Sequence, residues 1–348
     1  MQIGHWPVGK ESPPFIIAEM SGNHNGSLGR ALEIVDAIAA SGAHALKLQT
    51  YTAATMTLDL REREFFISDD RSPWKGTTLY ELYEQAHTPW EWHAAIFERA
   101  RKQGLAAFST PFDSTAVEFL ESLDVPAFKI ASFENTDLPL IRRAAQTGKP
   151  LIISTGMATL GEIEEAVATA RECGCSQLVL LKCTSSYPAS PASSNLATIP
   201  HLQNVFGCDV GLSDHTLGIG AAVASVALGA TVIEKHVTLS RAEGGVDAAF
   251  SLEPHELRQL VTETHAAWEA LGTLSTGPSE EERPSLVFRR SLYICEDLAA
   301  GDMLTERNLR AIRPGYGLPP KFVGTLLGKR VSRAVKKGTP MSWELVGS

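Results

Sequence analysis

Cysteine is scarce in this chain and wrongly spaced for a metal cluster. Cys173, Cys175, Cys183, Cys208 and Cys295 form an odd set with no Cys-x-x-Cys pair, so reduced buried thiols are expected rather than disulfides or a zinc ribbon. Positive charge is also short. Thirty-one Lys and Arg stand against 40 Asp and Glu, a formal net charge of -9 with pI near 5.6. That balance predicts no nucleic acid and no membrane among the partners, and any anionic ligand must be held by locally placed lysines and amides. No apolar run reaches the roughly 20 residues of a membrane span. A basic-then-apolar leader is missing as well, so a cytoplasmic location is the expectation. Finally, no Gly-x-Gly-x-x-Gly follows the first strand-like run, which counts against a dinucleotide site.

What is present is a regular alternation. The 348 residues, 44% hydrophobic and 20% charged, suffice for the cores of one large and one small domain. Eight β-rich runs alternate with segments of helical period: 15–20, 45–50, 105–110, 127–132, 151–155, 178–184, 210–215 and 231–237. Glycines at 42, 104, 148 and 229 close helices just before the next strand, as left-handed caps do. Thr159 and Glu162 spell a capping box, Asp113 can cap the helix through Leu120, and Pro89 and Pro254 suit first helical turns. Eight βα units in roughly 250 residues match a (β/α)8 TIM barrel, although an open doubly wound sheet has the same alternation.

Between the second strand and the helix near Pro89 lies an insert rich in charge and aromatics, including Arg61, Asp69, Asp70, Arg71, Trp74 and Tyr80. It reads equally as a substrate wall or lid and as a solvated loop. The last helix of the alternation is Pro254–Leu271. The expected division is a catalytic barrel over 1–272, a Gly, Ser, Pro-rich linker over 273–289, and a small β-rich domain over 290–348 with strand pieces at Ser291–Cys295 and Arg330–Ala334.

The chemistry gathers at the strand ends. Val210–His215 and Thr231–His236 are apolar segments that each end in histidine, one helix-length spacer apart. On parallel neighbouring strands, His215 and His236 open onto one face and can share a divalent metal; each could equally serve only its own strand end. Lys47, Lys129 and Lys182 lie inside apolar strands, where an ammonium group needs an anion or a hydrogen-bonded partner. Ser132, Ser154, Ser185 and Ser213 follow strands four to seven at one level, and together with the lysines they describe a phosphate or carboxylate pocket. Glu19 ends the first strand, where it can stabilise developing positive charge, act as a base or neutralise Lys47. Glu134 and Asp247 are candidates to bind sugar hydroxyls.

These segments in order, Asn23-His-Asn-Gly, Lys47-Leu-Gln-Thr, Phe108-Ser-Thr-Pro-Phe-Asp, Phe128-Lys-Ile-Ala-Ser, Ser154-Thr-Gly-Met, Gly211-Leu-Ser-Asp-His-Thr and Ile233-Glu-Lys-His, closely resemble the sialic acid synthase family. Those enzymes condense phosphoenolpyruvate with an acylamino sugar to form nonulosonic acids. The resemblance covers the whole chain, with the end similar to the family's antifreeze-like SAF domain. Lys47-Leu-Gln-Thr-Tyr-Thr, His87-Thr-Pro-Trp-Glu-Trp-His and Gly245-Val-Asp-Ala-Ala-Phe-Ser-Leu-Glu look most like the pseudaminic branch. The alternatives are a sialic or legionaminic acid synthase and a non-catalytic sugar-binding barrel.

The resemblance implies a role for each matching residue. His215 and His236 would ligate a divalent metal, commonly manganese, with magnesium or cobalt possible. Lys47, Thr110, Lys129, Ser132, Ser154 and Ser213 would contact phosphoenolpyruvate; Ser185 stands where sialic acid synthases usually carry asparagine. Glu19 would stabilise an oxocarbenium intermediate. Gln49, Glu134, Tyr187 and Asp247 would contact the sugar, and Arg313 would reach the partner subunit's site in a domain-swapped homodimer.

Overall fold

The structure is a computed structural model that describes residues 1–70 and 74–347. Arg71 of the insert lies outside the described residues. The chain divides into two compact units, Met1–Gly272 and Thr273–Ser348.

In the first unit eight parallel strands close into a barrel. They are β1 (Phe15–Glu19), β2 (Ala45–Thr50), β3 (Ala106–Pro111), β4 (Phe128–Ile130), β5 (Leu151–Ser154), β6 (Leu178–Cys183), β7 (Asp209–Ser213) and β8 (Val232–His236). The barrel closes where β8 pairs with β1, His236 opposite Glu19. An eight-stranded closed sheet has no free edge, and helices cover its outer face. These are α1 (Leu28–Ser41), α2 (Trp90–Lys102), α3 (Ser114–Ser122), α4 (Leu138–Ala145), α5 (Leu160–Glu172), α6 (Thr198–Phe206), α7 (Gly220–Ala227) and α8 (Pro254–Leu271). The open doubly wound sheet is thereby excluded.

The local signals act as their chemistry requires. Gly42, Gly104, Gly148 and Gly229 all have φ between 72° and 89°. The Thr159–Glu162 capping box is formed, and Asp113 caps α3 by accepting from the backbone amides of Thr115 and Ala116. Pro254 opens α8. Pro89 departs from expectation: it is the cap residue before α2, with ψ at 133°, and not part of the first turn.

Strand alternation sorts the charged residues between two environments. In β8, Glu234 and His236 line the barrel mouth, whereas Lys235 between them is completely buried on the other side against Asp214, Nζ to Oδ2 at 2.9 Å. Lys182 follows the same rule. It precedes the mouth-lining Cys183, and its ammonium donates to the Cys183 carbonyl and the Thr184 hydroxyl. The expectation that it joins the other lysines is therefore corrected.

The second unit has its own core, including Leu292, Ile294, Leu309, Leu326 and Leu345. Its antiparallel pair is β9 (Ser291–Ile294) with β10 (Leu309–Ile312). Arg330–Ala334 is not the second strand. Arg330 bridges Met303, Val331 bridges Val346 and Val335 bridges Leu298; neighbouring residues thus meet three different segments at one point each, and no ladder develops. Arg313 is exposed just after β10.

Candidate active site

Two connected spaces open at the carboxyl ends of the barrel strands. The inner one, about 50 Å³, is lined by Lys47, Thr110, Lys129, Ser132, Ser154, Ser213, His215, Glu234 and His236, with Cys183. The outer one, about 370 Å³, carries Ser21, Glu134, Ser185, Asp247 and residues of the insert. Gln49, Phe112, Ala131, Tyr187 and His236 line both spaces and mark their junction. A wider cavity of about 800 Å³ lies at the opposite end of the barrel, near Leu178 and Asp209, away from these groups.

Beside the inner space lies a buried quartet of alternating charge, of which Glu19 lines neither chamber. Lys47 forms a short ion pair with Glu19 and lies 3.8 Å from Glu234, while Lys129 lies 3.7 Å from the same Glu234. Each lysine also donates to a hydroxyl: Lys47 to Thr110 at 3.0 Å and Lys129 to Ser154 at 2.7 Å. Burial lifts the Glu19 carboxyl above the usual range, against the pull of Lys47 and with help from Glu234. Burial opposes ionisation of Glu234 too, but Lys129 and Lys47 outweigh it and hold its pKa low. Lys129 is pulled down by burial and by Lys47, against the opposing effect of Glu234.

The serines provide a polar rim. Ser213 donates to Glu234 at 3.5 Å. Ser132 accepts from the Gly156 amide at 3.1 Å. A β-carbon at Gly156 would fall 2.6 Å from the Ser132 hydroxyl and 2.3 Å from that of Ser185, so glycine lets this loop approach both. Ser185 lines the outer space and not the inner one, unlike the other residues matched to phosphoenolpyruvate.

His215 and His236 come together as their strand positions require, ring centroids 5.3 Å apart. His215 engages the Thr184 carbonyl through Nδ1 at 3.0 Å, which leaves Nε2 for a ligand. His236 Nδ1 is buried without a hydrogen-bond partner, and burial and the neighbouring His215 keep its pKa well below the ordinary value. The unpaired buried nitrogen of His236 and the outward Nε2 of His215 fit a divalent cation; burial opposes the charged form of His215 as well, but Cys183, the Thr184 carbonyl and Glu234 raise its pKa. Among the described residues no cluster of three or more His, Cys, Asp or Glu could hold a metal, so substrate or water would complete its shell. Phe250 packs against both rings at 5.1 and 6.1 Å, and Tyr187 lies 4.5 Å from His215.

Asp247 reaches the site from the loop after β8. Its carboxylate accepts from Ser21, whose amide also donates to Glu19 at 3.0 Å, and burial raises its pKa. The Asn23-His-Asn-Gly segment is a latch. Asn23 donates to the Val237 carbonyl at 2.8 Å and to Ser251 at 2.9 Å, which ties β1 to that loop. Glu134 Oε2 is buried without a partner, and burial pushes its carboxyl up to about 7.

Sequence reasoning missed Glu234, Cys183 and Phe250. Glu234 had a usable signal: it stands two residues before His236 on the same strand, hence on the same face.

The chain also matches known proteins. Residues 34–276 match the model of the NeuB family, and residues 289–346 match the SAF domain. The chain is 44% identical to a pseudaminic acid synthase of Campylobacter jejuni, covering 97% of both chains. It is 43% identical to a pseudaminic acid synthase of Helicobacter pylori, covering 95% of this chain and 97% of that one. The solved structure of an N-acetylneuraminic acid synthetase from Leptospira borgpetersenii, in complex with citrate, superimposes with a TM-score of 0.73 at 33% identity, over 82% of this chain and 94% of the other.

Proposed function

This chain belongs to the NeuB family, and on that premise we propose that it is a pseudaminic acid synthase. It would condense phosphoenolpyruvate with 2,4-diacetamido-2,4,6-trideoxy-L-altrose to give pseudaminic acid and phosphate. The observation that carries the reading beyond the comparisons is the two-chamber site: a small space with two lysines and several hydroxyls opens through Gln49, Tyr187 and His236 into one of sugar size. The first suits a compact phosphorylated acid, and the second an acylamino sugar.

In this reading Lys47, Lys129, Thr110, Ser132, Ser154 and Ser213 receive the phosphate and carboxylate. Gln49, Glu134, Tyr187 and Asp247 orient the open-chain sugar so that its aldehyde faces C3 of the bound enolpyruvate. His215 and His236 would hold a divalent metal, manganese in the first instance, which when bound supplies a Lewis acid for the sugar carbonyl. As the C3–C1 bond forms, positive charge develops at C2. Glu19, buried beside Lys47, would stabilise that charge while water adds at C2. Phosphate then leaves with its bridging oxygen, by C–O cleavage.

A homodimer and a cytoplasmic location belong to the same proposal; sedimentation of the full chain tests the first and cell fractionation the second. The reaction is tested by incubating the protein with manganese, phosphoenolpyruvate and the altrose sugar. A nine-carbon acid of pseudaminic configuration with equimolar phosphate is expected, and phosphate without such a product would contradict the reading.

A further inference from the structure

The outer chamber has two unlike walls. Its polar groups Gln49, Glu134 and Asp247 come from the barrel strands and the loops after them, whereas the insert contributes an apolar wall that includes Ile67, Trp74, Leu79 and Leu82. The wall is held in place from within. Leu79 and Leu82 stand on the helix Leu79–Ala86, which is closed by a capping box between Thr78 and Glu81. Ile67 is fastened to the start of that helix: its amide donates to the Thr77 carbonyl at 3.0 Å, and its carbonyl accepts from Gly76 at 2.9 Å. Trp74 directs its indole N–H to the Val246 carbonyl at 3.2 Å. Tyr51 is set edge-on between Tyr83 and Phe112, with centroids 5.7 and 5.1 Å away.

An acceptor in this chamber meets hydrogen-bonding groups on the barrel side, and on the insert side the hydrocarbon of Ile67, Leu79 and Leu82 beside the rings of Trp74 and Tyr83. The insert side chains Ile67, Leu79 and Leu82 have no polar atom to offer a primary hydroxyl, which would lose its water there without replacement. A methyl group loses nothing and gains contact. We propose that the wall formed by Ile67, Leu79 and Leu82 selects acceptors whose terminal sugar carbon is deoxygenated, reading the C6 methyl while the barrel side reads the oxygen-bearing chain. This rests on the pseudaminic acid synthase reading, and it assigns the choice between C6-methyl and C6-hydroxymethyl acylamino sugars to the insert.

The test compares three acceptors with the full-length protein, manganese and phosphoenolpyruvate: the 2,4,6-trideoxy altrose, the same sugar bearing a hydroxyl at C6, and N-acetylmannosamine. Wild type should prefer the methyl sugar to its C6-hydroxy counterpart by roughly 10- to 100-fold in kcat/KM, the range for a hydrophobic pocket facing one added hydroxyl. Leu82→Asn should reduce that preference to within about threefold, through KM for the sugar and without an equal change in KM for phosphoenolpyruvate. Ile67→Thr, a smaller change, should move it in the same direction and provides the measurement if Leu82→Asn fails to fold. Equal use of the methyl and hydroxyl sugars by wild type, or an unaltered preference in a folded variant, would overturn the role of the wall and leave the synthase reading standing. Turnover of N-acetylmannosamine with none of the altrose sugar would overturn the synthase reading itself, and the inference with it.

Discussion

Glu19 and His236 are register partners on the two strands that close the barrel. The pairing sets a buried carboxylate beside an imidazole whose Nδ1 has no hydrogen-bond partner, so the group proposed to meet a developing cation and the group proposed to hold the metal share one rung of the sheet. The ladder fixes their separation, and neither depends on a loop to arrive.

Glu19→Gln keeps the shape of the side chain and removes its ability to carry negative charge. If Glu19 acts on charge that appears only during reaction, kcat should fall by about 10²- to 10³-fold, with KM for both substrates changed far less. Steady-state kinetics with each substrate varied in turn checks this. A rise in KM for phosphoenolpyruvate at unchanged kcat would instead make Glu19 a partner for Lys47 and no more.

His236→Ala should abolish turnover and lower bound metal in the purified protein, measured by elemental analysis after loading with manganese. The far-ultraviolet circular dichroism should persist, because His236 ends its strand and the sheet register does not need its ring. Retained activity would sink the assignment of the metal site.

Glu134 carries a carboxyl pushed up to about 7 by burial. It is neutral at pH 6 and ionised at pH 8, and the ionised form is the stronger acceptor for sugar hydroxyls. KM for the sugar should therefore fall as pH rises through 7, and Glu134→Gln should flatten that dependence. Stability moves the other way. A folded pKa above the unfolded value gives a contribution that is full below about 4.5 and lost as pH rises through 7, so Glu134→Gln should melt higher than wild type at pH 8 by more than at pH 5.

Lys235→Met leaves Asp214 buried without its ammonium partner, a change that typically costs about 3–5 kcal/mol. For a unit of this size, at about 2–4 °C per kcal/mol, the thermal midpoint should drop by roughly 6 °C or more. Differential scanning calorimetry reads this directly. The double change Lys235→Met with Asp214→Leu should recover much of the loss.

The barrel was legible because its signals are local and repeated: strand runs, capping glycines and helix starts each follow from a few adjacent residues. Most of the site was legible for the same reason, since strand period places Lys47, Lys129 and His236 on the inner face. Lys182 misled because an apolar run with no polar alternation hides which face is inward. Glu234 was overlooked because its partners Lys47 and Lys129 come from strands far away in sequence. The insert was legible as a candidate substrate wall that includes Trp74, but the apolar character of the wall was not: Ile67, Trp74 and Leu82 converge only through the folded insert, whose sequence is rich in charge. In the small domain, the exchange of Arg330–Ala334 for Leu309–Ile312 as the second strand has a similar cause, because alternation does not reveal whether one partner or three will meet it.

The choice of acceptor is measured most directly by phosphate release from phosphoenolpyruvate with manganese, comparing 2,4-diacetamido-2,4,6-trideoxy-L-altrose with N-acetylmannosamine. Release is expected with the altrose sugar, and little or none with N-acetylmannosamine. Release with N-acetylmannosamine alone would contradict that expectation and move the protein to the sialic acid branch.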